Sequence, residues 1–145
     1  MSLNNAQIAQ IQSAVPTITA HADAVADTFY SRLFALDPRL RGMFRGDMKE
    51  QGRKLMSMLS VALSNLDKLD TLRPALRALG ERHVAYNVTE QHYSVVGQAL
   101  IETLDLMLGD AFTLEAREAW VALYTALTMA ITTDLYPHVT ESAAD

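Results

Sequence analysis

The chain has 145 residues, enough for one domain with a single sizeable core. Its 17 acidic and 12 basic residues leave a net charge of −5, which offers nucleic acid no basic footprint. It contains no cysteine, which excludes disulfides, thiolate nucleophiles, zinc–thiolate sites and cysteine-ligated clusters together.

Hydrophobic residues make up 50% and charged residues 20%, an ordinary globular balance. The opening M-S-L-N-N-A-Q-I lacks the basic and long apolar regions of a signal peptide. The late apolar stretch from Ala119 to Thr133 is closed by Glu118 and Asp134. It falls short of the ~20 residues that a membrane span needs. A single domain over residues 1–145 in the cytoplasm is expected.

Taken in order, nearly every segment has a helical period. Asn4 to Val15 places Ile8, Ile11 and Val15 on one face, with Pro16 expected to interrupt. A second helix from Thr19 or Ala20 to Leu36 turns Val25, Ala26, Phe29, Tyr30, Leu33 and Phe34 inward. Asp37-Pro38 reads as an N-cap with Pro at the first helical position, opening a short helix to Phe44. Gly42 and Gly46 flank the corner that follows.

Asp47 to Leu66 predicts a long helix with Gln51, Leu55, Met58, Ala62 and Leu66 on one face. Asp67 to Asp70 reads as a polar loop, and Thr71 to His83 as a helix with Pro74 in its first turn. Thr89 is placed to cap a helix from Glu90 to Leu108, stopped by Gly109. Thr113 caps a last helix to about Tyr136, with Trp120, Leu123, Tyr124, Leu127 and Ile131 inward. No window sustains a period of two. The expectation is an all-α fold of about seven to eight helices, of globin-like or bundle type.

Leu72, Leu76, Leu79 and His83 follow at intervals of 4, 3 and 4, so three leucines and an imidazole share a face. Gly80, one turn before the histidine, leaves space beside it. A ring nitrogen, an apolar wall and a gap suit a flat, apolar, metal-bearing ligand. The simpler reading of this stretch alone is a core histidine bonded to a carbonyl. The Gln51 helix repeats the design, an apolar stripe broken by one nitrogen-bearing side chain beside Gly52. If the two helices face each other, Gln51 and His83 flank a slot, with Phe44 at its edge.

Five segments, in order, carry a resemblance: T-F-Y-S-R-L-F at 28–34, D-P-R-L-R-G-M-F at 37–44, E-Q-G-R-K-L-M at 50–56, R-H-V-A-Y at 82–86 and H-Y-S-V-V-G-Q at 92–98. As a set they resemble the bacterial single-domain haemoglobins and the globin domain of flavohaemoglobins, over essentially the whole chain. The resemblance implies a globin fold enclosing haem b, with His83 as the proximal iron ligand. It implies that Phe44 packs on the haem, that Gln51 and Leu55 are the distal-helix residues and that Tyr30 points at bound ligand. Tyr93 is similar to the family's proximal tyrosine. Lys54 and Arg82 stand where a haem propionate reaches, or are solvated charges.

The implied function is reversible binding of dioxygen, nitric oxide and carbon monoxide, for oxygen delivery or nitric oxide detoxification. The alternatives are nitric oxide dioxygenation or weak peroxidase chemistry with an external reductase, and gas sensing through a partner. A monomer or homodimer is expected. Two departures from the flavohaemoglobin pattern stand out. The family's last-helix glutamate aligns with Leu135, beside Asp134, which argues against strong peroxidase-like activation. No flavin or nicotinamide domain follows the helices, so turnover is expected to need a separate reductant. His21, His92 and His138 read as surface or edge residues, and the seven methionines as core packing. Tyr86 and Tyr124 read either as proximal lining or as ordinary core residues with a hydroxyl partner.

Overall fold

Asn4 starts the first helix by reciprocal capping. Its Oδ1 accepts from the Gln7 N–H at 2.8 Å, and the Gln7 side chain accepts from the Asn4 N–H at 2.9 Å. The structure is a computed structural model describing residues 2–44, 46–85 and 88–132. Six α-helices and three short 3-10 helices make up its order: α1 Asn5–Ala20, α2 Ala22–Leu36, a 3-10 helix Pro38–Met43, α3 Met48–Leu63, a 3-10 helix Leu69–Leu72, α4 Arg73–Ala85, α5 Glu90–Leu108, a 3-10 helix Gly109–Ala111 and α6 Leu114–Thr132. There is no strand among the described residues, as expected for an all-α chain.

Two expectations about local structure are corrected. Pro16 does not interrupt α1, which runs through it to Ala20. The ring is exposed, while Ile11, Ala14 and Ile18 bury the opposite face on both sides of it. Packing of that continuous face outweighs the one helical hydrogen bond that proline removes. The break falls instead at His21. The loop from Asp67 to Asp70 is not wholly polar in role, because Leu69 is 1% exposed and anchors the 3-10 turn into the core.

Other expected signals work as their chemistry dictates. The Asp37 carboxylate caps the 3-10 helix by accepting from the Arg39 N–H. Gly46, at φ +92°, turns the corner before α3 in a conformation that L side chains rarely adopt. Asp47 then caps α3 through the Lys49 N–H. Gly109, at φ +55°, ends α5.

The main core joins Ile11, Ile18, Val25, Leu69, Leu104, Trp120 and Leu123 from five of the segments. A second cluster centres on Phe29, Leu33, Leu40 and Ala99. The best-packed pairs include α2 with α5, α1 with α6, α4 with α6, and α2 with α3. Successive helices α3 and α4 make no substantial contact with each other among the described residues. No described helix is long and apolar enough to cross a membrane.

Candidate functional site

The apolar stripe faces inward, with Leu72 of the 3-10 helix before α4 and Leu76 of α4 buried, and Leu79 and His83 of α4 half-buried. His83 Nδ1 lies 2.7 Å from the Leu79 carbonyl oxygen, one turn back. A carbonyl only accepts, so Nδ1 carries the proton and the tautomer leaves the Nε2 lone pair available. No other described group hydrogen-bonds this ring. The imidazole is therefore fixed in orientation by its own helix, with one nitrogen ready to donate electrons to a metal.

A second group of candidate residues lies on α2, the Phe44 corner and α3. Tyr30 meets Phe44 edge to face at 5.4 Å between centroids, and meets Phe29 likewise at 5.1 Å. Phe34 stacks on Tyr30 at 6.1 Å and meets Phe44 at 5.5 Å. Leu55, one turn beyond Gln51, joins this cluster with Val96 and Leu100 of α5. The Tyr30 hydroxyl reaches the Gln51 backbone carbonyl at 3.4 Å, a long and weak hydrogen bond. The amide side chain of Gln51 makes no hydrogen bond among the described residues. Burial pushes the Tyr30 pKa from 10.0 up to about 12, so its hydroxyl keeps its proton and remains a donor.

Gly52 lies where α2 and α3 cross. A Cβ built on it would stand 3.1 Å from the Ala26 Cβ, so it permits the close crossing of α2 and α3. That crossing brings Tyr30 up to Gln51. A groove of about 520 Å³ opens beside it, lined by residues of α1, α2 and α3 and by none of the expected site residues.

On the α4 side, Tyr93 lies 6.1 Å from His83 between ring centroids, tilted by 39°. It also packs against the main core cluster. Lys54 and Arg82 are both exposed. Lys54 stands 4.0 Å from the Glu50 carboxylate, and Arg82 makes no ion pair among the described residues. Tyr86, Asp134, Leu135 and His138 lie outside the described residues.

The structure thus gathers Tyr30, Phe44 and Leu55 in one cluster, with Gln51 beside them, and pairs His83 with Tyr93. Two further residues take partners that the sequence leaves open. His92 is not a free surface histidine, because its Nδ1 accepts from the Thr89 N–H at 3.0 Å and closes the start of α5. Its position three residues after a threonine cap was the available signal. Tyr124 donates its hydroxyl to the Tyr93 carbonyl at 2.5 Å, a link between α6 and α5 that no single-helix pattern reveals.

Residues 27–131 match the family model described as Globin. The chain belongs to the globin family. It is 30% identical to the flavohaemoprotein of Bacillus subtilis, over 97% of this globin and 37% of that relative. This globin spans about a third of the length of the flavohaemoproteins it matches. A structure of an engineered carbene transferase, whose Rhodothermus marinus parent carries a provisional nitric oxide dioxygenase name, superposes with a TM-score of 0.83 at 25% identity, covering 99% of this globin and 100% of that chain. A bacterial globin from Campylobacter jejuni superposes with a TM-score of 0.79 at 25% identity, covering 92% and 99%.

Proposed function

We propose that this globin binds haem b between α3 and α4 and uses it to bind dioxygen and other diatomic gases reversibly. The observation that carries the reading is His83, whose Nδ1 is committed to the Leu79 carbonyl while Nε2 stays available. The donor set fits the group. One neutral imidazole on an apolar helix face is what a haem iron needs from the protein, and α3 and α4 are not closed on each other. When bound, the haem supplies an iron centre with a coordination position open to a gas.

The chain's own residues divide the remaining work. Phe44 and Leu55 supply apolar walls that exclude water and hold a flat macrocycle. Tyr93 stands beside His83 and steadies the imidazole. Tyr30 and Gln51 donate hydrogen bonds to the partially negative outer atom of dioxygen. In a dry slot such bonds are stronger than in water. Tyr30 can be recruited at little cost, because it gives up only a 3.4 Å bond to the Gln51 carbonyl. The exposed cations Lys54 and Arg82 are assigned to the haem propionates.

Tyr30→Phe tests the gas-binding assignment. Loss of one hydrogen bond to a partly charged acceptor is worth about 1.5 kcal/mol, so dioxygen should leave roughly tenfold faster. Carbon monoxide, being less polar, should respond less. An unchanged dioxygen release rate in stopped flow would remove Tyr30 from this role.

Similarity to flavohaemoproteins and to the Rhodothermus marinus protein favours a second reading, nitric oxide dioxygenation with an external reductase. Rapid mixing of the oxygenated protein with nitric oxide should yield stoichiometric nitrate. Sustained turnover should then require an added reductase. Failure of either step restricts the protein to gas binding.

A further inference from the structure

Tyr124 projects from α6 into α5 at the turn that carries Tyr93. Its hydroxyl donates to the Tyr93 carbonyl at 2.5 Å. The hydroxyl thus holds one carbonyl of the α5 ladder, four residues before Gly97. The ring occupies the space where a side chain at 97 would begin. A Cβ there would lie 2.6 Å from Tyr124 Cε2 and 3.0 Å from Cδ2. Turning or sliding this part of α5 against α6 would break the hydroxyl bond and drive the ring into the backbone.

The same helix α6 also packs against α4, which carries His83. It is therefore the common base on which α4 and the Tyr93 turn of α5 are both seated. Tyr93 faces His83 at 6.1 Å. We propose that Tyr124 is a positioning residue for His83: by clamping the Tyr93 carbonyl and filling the notch at Gly97, it sets the height and rotation of Tyr93 against the imidazole. Tyr124 acts through Tyr93, not by contact with a ligand of the slot. The inference rests on the reading of His83 as the iron ligand.

The test is the iron–histidine stretching band in resonance Raman spectra of the ferrous, haem-loaded protein. It is recorded for the parent chain, Tyr124→Phe, Tyr93→Phe and the double variant. Tyr124→Phe keeps the ring in the Gly97 notch and removes only the hydroxyl. The expected result is a band shift in both single variants, in the same direction. The double variant should shift no further than Tyr93→Phe, because the two residues act in series. An unchanged band in Tyr124→Phe, even with a lower melting temperature, would reduce Tyr124 to packing and overturn the proposal alone. Additive shifts in the double variant would overturn it as well. Absence of an iron–histidine band in the parent chain would overturn the haem reading, and this inference with it.

Discussion

Gly97→Ala places a single methyl group against the Tyr124 ring, where α5 meets α6. The new Cβ would lie 2.6, 3.0 and 3.3 Å from three carbons of the Tyr124 ring. Carbon atoms pack favourably at about 3.5–4.0 Å, so the ring must retreat by about 1 Å. It cannot swing freely, because its hydroxyl is tied to the Tyr93 carbonyl. Overpacking costs about 1–3 kcal/mol, and an approach of 2.6 Å to a tethered ring puts this site in the upper half of that range, at about 2–3 kcal/mol. Replacing a helical glycine by alanine returns about 1 kcal/mol of helix propensity. The net expectation is destabilisation by roughly 1–2 kcal/mol, or about 3–7 °C in melting temperature for a domain of this size. Gly52→Ala provides the internal control. Its methyl would meet only the Ala26 Cβ at 3.1 Å, so the neighbour need give by a few tenths of an ångström. The propensity gain should bring that variant within about 1 kcal/mol of the parent. Thermal unfolding followed by circular dichroism measures both. A Gly97→Ala protein as stable as the parent would refute the account of the α5–α6 contact.

Removing the first cap by Asn4→Ala should cost about 1 kcal/mol, because the Gln7 N–H loses its Oδ1 acceptor; chemical denaturation reads the change. Arg32→Ala breaks the link between α2 and α5, in which Arg32 Nη2 sits 2.8 Å from a Glu102 carboxylate oxygen. With the two side chains 40% and 30% exposed, solvent screens the pair, so the loss should stay under about 1 kcal/mol and shrink further in 1 M salt. Burial raises the pKa of Tyr30 from 10.0 to about 12 and raises that of Tyr124 as well. The unfolded chain therefore ionises these tyrosines first, so their contribution is intact below about pH 10 and is lost as pH climbs towards 12. Denaturation midpoints should fall across that window, and the fall should be shallower in Tyr30→Phe.

Most of the helical layout is legible in the sequence because it rests on local signals. Apolar residues at helical spacing mark α2, α3, α5 and α6. Asp37, Asp47, Thr113 and Gly109 mark ends through caps and a left-handed stop. The failures share a cause, which is that tertiary contact decides them. Pro16 reads as a break, yet burial on the opposite face carries α1 through it. Leu69 sits in a charged run, and only the surrounding core shows it as an anchor. Gly52 reads only as a neighbour of Gln51, while the distance to Ala26 shows a helix crossing.

The site is legible to a similar degree. The α4 stripe anticipates an inward His83, because one helix determines that face. The ring cluster of Tyr30 and Phe44 follows from motifs on two neighbouring segments. The sequence pattern does not show that Tyr30 reaches the Gln51 backbone, and not its amide, because that depends on how far α2 and α3 slide past each other. Tyr124 is harder still. Its role depends on the register of α6 against α5, which no spacing within either helix encodes.

The central claim is that His83 is the ligand of a haem iron. Visible absorption of the purified, haem-reconstituted protein, ferric and then reduced, tests it most directly when His83→Ala is measured alongside. The account predicts a strong Soret band in the parent chain that is lost or strongly altered in the variant. A parent chain that shows no Soret band after haem addition, or a variant with an unchanged spectrum, would contradict it.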